Sequence, residues 1–178
     1  MKTIYLETER LLLRGWEDSD AEPFVLLNLD PEVRRYFPGL RPREKCLSDI
    51  GFMRERLDTL GYGRFAVEVK TTGAFIGFIG ILPADFEAPF TPCVEIGWRL
   101  ARDAWGQGYA TEGARACLES GFAYWHFPEV FAFTSIHNHP SEKVMQRLAM
   151  ERVGTFPHSG LEEGHWLREH VLYKAVKK

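Results

Sequence analysis

The stretch that decides the fold is residues 96–112, Ile-Gly-Trp-Arg-Leu-Ala-Arg-Asp-Ala-Trp-Gly-Gln-Gly-Tyr-Ala-Thr-Glu. It begins as an apolar strand, passes through a loop with Gly106 and Gly108, and continues as a helix. Because glycine has no Cβ, ligand atoms can approach this loop closely. The free N–H groups of the first helical turn and the positive end of the helix dipole face the loop. The stretch therefore predicts a site for a phosphate-bearing ligand.

The loop differs from two common nucleotide-binding loops. It lacks the Gly-x-x-x-x-Gly-Lys-Ser/Thr spacing of nucleoside triphosphate loops, and Thr111 stands where a dinucleotide fingerprint would place its third glycine. A Gly-x-Gly taken alone is equally compatible with a tight turn between a strand and a helix. We interpret the loop as a site for another phosphorylated carrier, with a nucleotide-binding module as the alternative.

Composition and charge narrow the class of protein. The chain has 178 residues, a net charge of −3 and 45% hydrophobic residues, which fits a single globular domain over residues 1–178. Its basic residues are spread along the chain rather than gathered in the patch expected of a nucleic-acid-binding protein. The sequence shows neither a signal peptide nor the ~20 apolar residues of a membrane span. We expect a cytoplasmic protein with no nucleic acid or membrane partner.

The cysteines and histidines do not form a recognisable metal site. Cys46, Cys93 and Cys117 are widely separated in apolar surroundings, and an odd number argues against a disulfide framework. They are predicted to be reduced core side chains. His137 and His139 are close in sequence, but no third ligand is evident. We therefore expect no bound metal.

The periodicity of apolar residues predicts a mixed α/β (α+β) fold. Helices do not alternate with strands from the start of the chain, so a Rossmann fold is not expected. The predicted order is a strand over 4–14, a helix after 18–20, a helix over 43–60, strands over 64–70, 74–82 and 92–100, a helix over 108–125, a strand over 130–136, a helix from 138, and strands near 151–157 and 167–176.

Residues 97–112 resemble the acyl-CoA-binding core of the GNAT superfamily of N-acetyltransferases. The family pattern Gln/Arg-x-x-Gly-x-Gly/Ala corresponds to the run from Trp105 to Ala110, with Trp at the first position. The form Trp-Gly-x-Gly-Tyr-Ala-Thr-Glu is typical of the branch resembling ribosomal-protein N-terminal alanine acetyltransferases. The resemblance covers essentially the whole chain and includes residues 8–14, 30–36, 138–141 and 147–150, with Ala149 in place of the usual glycine.

The resemblance implies a GNAT fold and acetyl-CoA as co-substrate. The expected sheet is mixed, mostly antiparallel and twisted, with about seven strands flanked by helices, and two strands splay apart to admit acyl-CoA. A backbone N–H near residues 98–100 is expected to face the thioester carbonyl. Asn138 suits either the cofactor arm or the N-cap of the following helix. The residues implied to bind the cofactor are Trp98, Arg99, Leu100, Trp105, Gly106, Gln107, Gly108, Tyr109, Ala110, Thr111, Asn138 and Ser141.

Transfer to an amine requires a base, since amines are protonated at neutral pH. Glu95, on the more polar face of its strand, is the candidate base; a structural carboxylate paired with Arg99 is the alternative. Ser141 is the candidate proton donor to the leaving thiolate, with hydrogen bonding at the helix start as the alternative. Met145 stands where many family members place a tyrosine, and its thioether cannot donate a proton.

We predict an acetyl-CoA-dependent N-acetyltransferase that acts by direct attack in a ternary complex, because no cysteine is placed for a covalent relay. The acceptor is a primary amine, either a protein N-terminus or a small molecule, and the protein is a monomer or homodimer. A CoA-binding sensor without catalytic activity is the alternative. The residues expected to contact the acceptor are Phe86, Glu87, Phe90, Trp98, His165 and Trp166, although His165 and Trp166 are equally compatible with a surface loop.

Overall fold

The computed structural model describes residues 2–177, and its framework is a single open sheet. The strands are β1 (Ile4–Glu7), β2 (Leu11–Arg14), β3 (Arg64–Val69), β4 (Phe75–Ala84), β5 (Cys93–Leu100), β6 (Glu129–Ser135), β7 (Glu151–Pro157) and β8 (Glu169–Val176). They lie in the order β1-β2-β3-β4-β5-β6-β8-β7. Within residues 2–177, the strand pairs are antiparallel except for β5 and β6. The mostly antiparallel sheet is confirmed.

In the described part of the chain the sheet has eight strands, not about seven, because residues 4–14 form a hairpin instead of one strand. The chain reverses between β1 and β2, where the Thr8 N–H donates to the Leu11 carbonyl over 3.0 Å. Arg10 lies in this turn, and its backbone N–H donates to Glu112 in a distant helix. The reversal thus depends partly on a long-range contact that a local pattern does not contain.

Within residues 2–177, four α-helices cover the two faces of the sheet: α1 (Ala21–Leu29), α2 (Arg43–Leu60), α3 (Tyr109–Ala123) and α4 (His139–Arg147). The face against which α1 packs, through Phe24 on Phe78, is called the front face. On the opposite, back face, α3 lies so close that a Cβ at Gly113 would be 2.5 Å from Ile79 Cδ1. No helix within residues 2–177 is both long enough and apolar enough to cross a membrane.

The two central strands β5 and β6 separate, as expected for an acyl-CoA slot. Among the described residues they are paired at one position, Glu95 with Phe131. Beyond Glu95, β5 continues to Leu100 paired with β4, whereas β6 continues to Ser135 paired with β8. The gap between the diverging strands connects the two faces of the sheet.

Candidate active site

A cavity of about 1400 Å³ occupies the gap between β5 and β6. Its wall includes the loop before α3, the first turns of α3 and α4, and side chains of the front face. The cofactor-binding residues predicted from the sequence all lie on this wall: Trp98, Arg99, Leu100, Trp105, Gly106, Gln107, Gly108, Tyr109, Ala110, Thr111, Asn138 and Ser141. Residues from separate parts of the chain are therefore brought to one space.

The glycine loop leads into α3 with its backbone in a left-handed conformation. Gly106 has a φ of +75° and Gly108 a φ of +81°. A Cβ at Gly106 would have no heavy atom within 4 Å, so the loop needs glycine for its conformation rather than for space inside the protein. The first helical hydrogen bond runs from the Glu112 N–H to the Gly108 carbonyl over 3.0 Å. The N–H groups that precede it are available to a ligand.

Arg10, from the turn between β1 and β2, holds this loop in place. Its Nη1 donates to the Gln107 carbonyl over 2.9 Å, and its Nε donates to Glu112 Oε2 over 2.7 Å. Thr8 Oγ1 donates to Glu112 Oε1 over 2.6 Å. Although burial opposes ionisation, the hydrogen bonds from Thr8 and Arg10 outweigh it and lower the pKa of Glu112. Glu112 therefore anchors the loop as a carboxylate.

The N-terminus of α4 forms another part of the cavity wall. Asn138 caps the helix, since its Oδ1 accepts from the Ser141 N–H over 3.3 Å and its Nδ2 donates to Thr134 Oγ1 over 2.9 Å. The N-cap interpretation of Asn138 is confirmed. The cap uses the backbone of Ser141, so the Ser141 hydroxyl stays available on the wall. Met145 is 2% exposed and lies on the same wall.

Glu95 is ion-paired with Arg64 of β3, with 2.5 Å between Glu95 Oε1 and Arg64 Nη2. The expected alternative, a pair with Arg99, is wrong. Residues four apart in a strand have Cα atoms about 13 Å apart, too far for this pair. Arg64 instead reaches Glu95 over two glycines, because Arg64 pairs with Gly80 and Gly80 pairs with Gly97. These glycines leave the front face open along the path of the Arg64 side chain.

Two histidines that the sequence did not single out lie on the cavity wall beside Phe133. The ring centroids of His158 and His170 are 4.9 Å apart. Burial lowers the pKa of both imidazoles, and the proximity of His158 lowers that of His170 further, which favours their neutral forms. His170 Nδ1 donates to the Arg168 carbonyl over 3.0 Å, because a carbonyl can only accept. In the neutral ring, Nε2 of His170 is therefore an acceptor.

Comparison with known proteins agrees with this geometry. Residues 10–151 match the acetyltransferase (GNAT) domain family. The chain belongs to the GNAT acetyltransferase family. YkkB of Bacillus subtilis (strain 168) is 36% identical over 146 residues, covering 82% of this chain and 84% of YkkB. An uncharacterized N-acetyltransferase of Bacillus licheniformis, p20, is 30% identical over 161 residues, covering 86% and 85%.

The fold of this GNAT acetyltransferase is also that of a ribosomal-protein acetyltransferase. The structure of RimL, a ribosomal L7/L12 alpha-N-protein acetyltransferase, in complex with coenzyme A superposes with a TM-score of 0.77. The match covers 97% of each chain at 16% sequence identity. The predicted family and fold are thus confirmed, and the likeness to RimL at this identity concerns the fold alone.

Of the aromatic residues expected to contact the acceptor of this acetyltransferase, Trp98 lies on the cavity wall, whereas Phe86 and Phe90 lie away from it. Phe86 packs against Phe133 at 5.3 Å between ring centroids, and Phe90 packs against Phe156 at 4.8 Å. Both belong to an aromatic cluster behind Phe133, which itself lines the cavity. Glu87 lies in the segment between them and is likewise outside the wall that the described residues form.

His165 and Trp166 also lie outside this wall. His165 Nδ1 accepts from the Leu167 N–H over 3.1 Å, which closes a surface turn. Trp166 is 55% exposed and packs against His137, with 5.4 Å between ring centroids. The surface-loop interpretation fits these two positions. The next residue, Leu167, is buried and reaches the cavity instead.

Proposed function

We propose that the protein is an acetyl-CoA-dependent N-acetyltransferase that transfers an acetyl group to a primary amine by direct attack in a ternary complex. One observation carries this proposal. A single cavity joins the N–H-rich loop before α3, the open edge of β5 and the carboxylate of Glu95. Donor and acceptor can therefore be held together in one site.

The loop and β5 would hold the donor. Backbone N–H groups of residues 106–111 suit the pyrophosphate of CoA, since charge-assisted hydrogen bonds and the helix dipole both favour an anion there. Arg115, Lys143 and Arg147 also lie on the wall and supply positive charge near the phosphates. The unpaired edge of β5 suits the amide groups of the pantetheine arm. A backbone N–H of residues 98–100 would stabilise negative charge on the thioester oxygen during attack.

Glu95 is the proposed base, with the ion pair to Arg64 holding its carboxylate on the front face. It accepts a proton from the ammonium form of the acceptor, directly or through water. The amine nitrogen then forms a bond to the carbonyl carbon, and the carbon–sulfur bond breaks. Ser141 or water supplies the proton that the leaving thiolate takes up. The amine loses its second proton as the amide forms, and this proton restores the donor hydroxyl or passes to water.

A covalent relay through cysteine does not fit this site. Among residues 2–177, the three thiols of Cys46, Cys93 and Cys117 lie off the cavity wall. Burial raises the pKa of Cys93 to about 11, which disfavours the nucleophilic thiolate. Direct attack of the amine is therefore the mechanism that we propose.

The test is acetyl-CoA turnover with a broad panel of primary amines, measured by the release of free CoA thiol. The proposal expects thiol release that depends on at least one amine. Normal acetyl-CoA binding without transfer to any amine would instead favour a CoA-binding sensor, for which Met145 at the expected donor position is the motivating observation. Thermal stabilisation by ATP or NAD but not by acetyl-CoA would contradict both.

A further inference from the structure

A stack of alternating guanidinium groups and aromatic rings lies along the front face, and four of its five members line the cavity. Arg99 Cζ lies 4.2 Å from the ring centroid of Phe37 and 5.3 Å from that of Phe78. Arg34 covers Phe37 at 4.5 Å, and Arg64 covers Phe78 at 5.3 Å. We call these five residues, in the order Arg34, Phe37, Arg99, Phe78 and Arg64, the arginine stack. Cation–π contacts hold its members but do not neutralise their charge.

The arginine stack has more positive than negative charge. Arg64 is neutralised by Glu95, and the neighbouring Arg41 is neutralised by Asp49. Arg34 donates to the Gly39 carbonyl, a neutral acceptor. Within residues 2–177, neither Arg34 nor Arg99 has a carboxylate partner. A cation away from bulk water without a counter-ion is unfavourable, so the arrangement favours binding of an anion.

Of the two arginines in the stack without a carboxylate partner, Arg99 is the one that reaches the cavity. Its Nη1 donates to Asn28 Oδ1 over 2.9 Å, while its Nε is buried without a partner among the described residues. Burial, together with the charges of Arg34 and Arg64, lowers the pKa of Arg99 to about 9, so it is still a cation at neutral pH. A guanidinium with one hydrogen bond to a neutral amide retains donors for a ligand.

Asn28 fixes the direction of the Arg99 side chain. It is fully buried, and its Nδ2 donates to the Phe24 carbonyl over 2.8 Å. This bond determines which end of the amide is the oxygen, and that oxygen accepts from Arg99. The guanidinium is therefore held between Phe37 and Phe78 with a defined orientation. Such pre-organisation is what recognition of a planar anion requires.

We propose that the amine acceptor carries a carboxylate, which Arg99 binds while the amine lies toward Glu95. This inference rests on the proposed function and names its substrate class. Arg34 lies off the wall, so Arg99 is the one member of the arginine stack that presents uncompensated charge to the cavity, which matches one carboxylate better than a phosphate. Because Glu95 and Arg99 are about 13 Å apart along the strand, the amine and carboxylate are separated by several bonds. A free amino acid with a side-chain amine and a peptide with an acidic residue both offer this chemistry.

The test compares matched amines that differ in the carboxylate alone. Each acid is assayed beside its amide and its decarboxylated amine, for example lysine, lysinamide and 1,5-diaminopentane. Peptides with Asp or Asn near a free N-terminus form the second arm and distinguish a peptide source from a free amino acid. We expect kcat/KM to be roughly tenfold to a hundredfold higher for the carboxylate member, as a charge-assisted pair is worth about 1.5–3 kcal/mol.

The variant Arg99→Met tests the assignment of this preference. Met keeps an unbranched side chain that can pack between the two rings, and it removes the guanidinium and its charge. We expect the variant to abolish the preference through a higher acceptor KM. The acetyl-CoA KM should not change, because the proposed contact of residue 99 with the cofactor is through its backbone. Arg34→Met is the matched control, because Arg34 occupies the other side of Phe37 without reaching the cavity. It should retain the preference. Arg99→Lys keeps the charge without the planar fork and should give an intermediate preference.

Several outcomes would overturn the inference and leave the proposed function intact. Transfer to amines irrespective of a carboxylate is one, and a preference for phosphorylated amines is another. An equal loss in Arg34→Met and Arg99→Met would show that the stack is structural. If Arg99→Met does not fold, the matched-amine comparison in the wild-type protein still decides the carboxylate preference. Transfer to no amine at all would instead contradict the proposed function.

Discussion

The proposed donor half and the proposed acceptor half of the cavity are built in different ways. The donor half consists mainly of backbone N–H groups from one continuous stretch, residues 105–111, and of the open edge of β5. The acceptor half consists of side chains that arrive from several strands and from the segment between α1 and α2. The donor half therefore depends on backbone conformation, whereas the acceptor half depends on charge and protonation. Mutations should affect the two halves in correspondingly different ways.

The largest expected effect is in the acceptor half, on replacing Glu95 by Gln. The amide has the same shape but cannot take up a proton, and general-base catalysis is typically worth ~10²–10⁴-fold. We expect kcat to fall by at least about 100-fold, with acetyl-CoA affinity unchanged. Activity of the variant should rise with pH, since the free amine then forms without the base. A pH profile of kcat with thiol detection measures both.

The kcat of Glu95→Gln distinguishes a catalytic role of Glu95 from a structural one. Glu95 also receives the ion pair from Arg64, so a purely structural role predicts lower thermal stability with little change in kcat. An unchanged kcat at saturating substrates would show that Glu95 is not the base. In that case His170, whose Nε2 is the free acceptor on the same wall, is the next candidate to replace.

The second effect is in the donor half, on replacing Gly108 by Val. A β-branched residue at a φ of +81° is strained by about 1–3 kcal/mol, and relief of that strain would turn N–H groups away from the phosphates. We expect acetyl-CoA to bind roughly tenfold to a hundredfold more weakly by titration calorimetry. Acceptor preference at saturating acetyl-CoA should not change.

Gly73→Val is the matched control for this variant. Gly73 has a φ of +68° with no heavy atom within 4 Å of a Cβ, and it lies in the turn between β3 and β4. Both variants should lower the melting temperature, but Gly73→Val should leave acetyl-CoA affinity as it is. Equal affinities in all three proteins would mean that the loop does not hold the phosphates.

This contrast also explains what could be predicted from the sequence. The helix over 43–60 and the strand–loop–helix around Gly108 are confirmed. Both were predictable because the spacing of apolar residues and the positions of glycines are signals from residues close together in the sequence. The turn between β1 and β2 was missed since its contact is with Glu112, far along the chain. The Glu95 partner was missed because Arg64 reaches it over Gly80 and Gly97, which depends on strand register.

The predicted acceptor residues that lie off the cavity wall were misplaced for the same reason, since strand register decides which residues reach the cavity. Phe86, Phe90, His165 and Trp166 were proposed from their type and position, but the cavity wall is formed by residues brought together by the sheet. The half-buried pair of His158 and His170 had one signal in the sequence, namely that five histidines fall between residues 137 and 170. Which members of that cluster face the cavity follows from the pairing of β7 with β8, and periodicity alone does not determine this pairing.

A third effect concerns pH and follows from these two histidines. Burial lowers the pKa of His158 and His170 in the folded state, so the unfolded chain binds protons more readily. The two neutral imidazoles therefore contribute to the free energy of unfolding above the unfolded pKa of about 6.5. This contribution is lost as the pH falls below that value. We expect the free energy of unfolding to decrease between pH 7.5 and pH 5.5 in denaturant titrations. His170→Asn, which retains a donor near the Nδ1 position, should reduce that decrease.

Glu112, in the donor half, should give a different pH dependence of stability from that of the two histidines. Its pKa is lowered, since hydrogen bonds from Thr8 and Arg10 outweigh burial, so its stabilisation is lost only as the pH falls through acidic values below the ordinary range of a carboxyl group. Glu112→Gln should therefore lower stability at pH 7.5 without changing the slope between pH 7.5 and 5.5. A slope that depends on Glu112 and not on His170 would contradict the assignment of pH sensitivity to the acceptor half.

The smallest effect is expected at the boundary between the halves, on replacing Ser141 by Ala. The Asn138 cap uses the Ser141 N–H, so the loss of the hydroxyl should leave α4 and the melting temperature unchanged. Asn138→Ala is the stability control and should cost about 1 kcal/mol through loss of the cap. If the Ser141 hydroxyl protonates the thiolate, kcat should fall by no more than about tenfold, because water can replace it. The loss should be larger with acetyl-CoA than with a thioester whose leaving thiol is more acidic. Equal kcat values for wild type and Ser141→Ala with both donors would assign the proton to water and leave Ser141 as a wall residue.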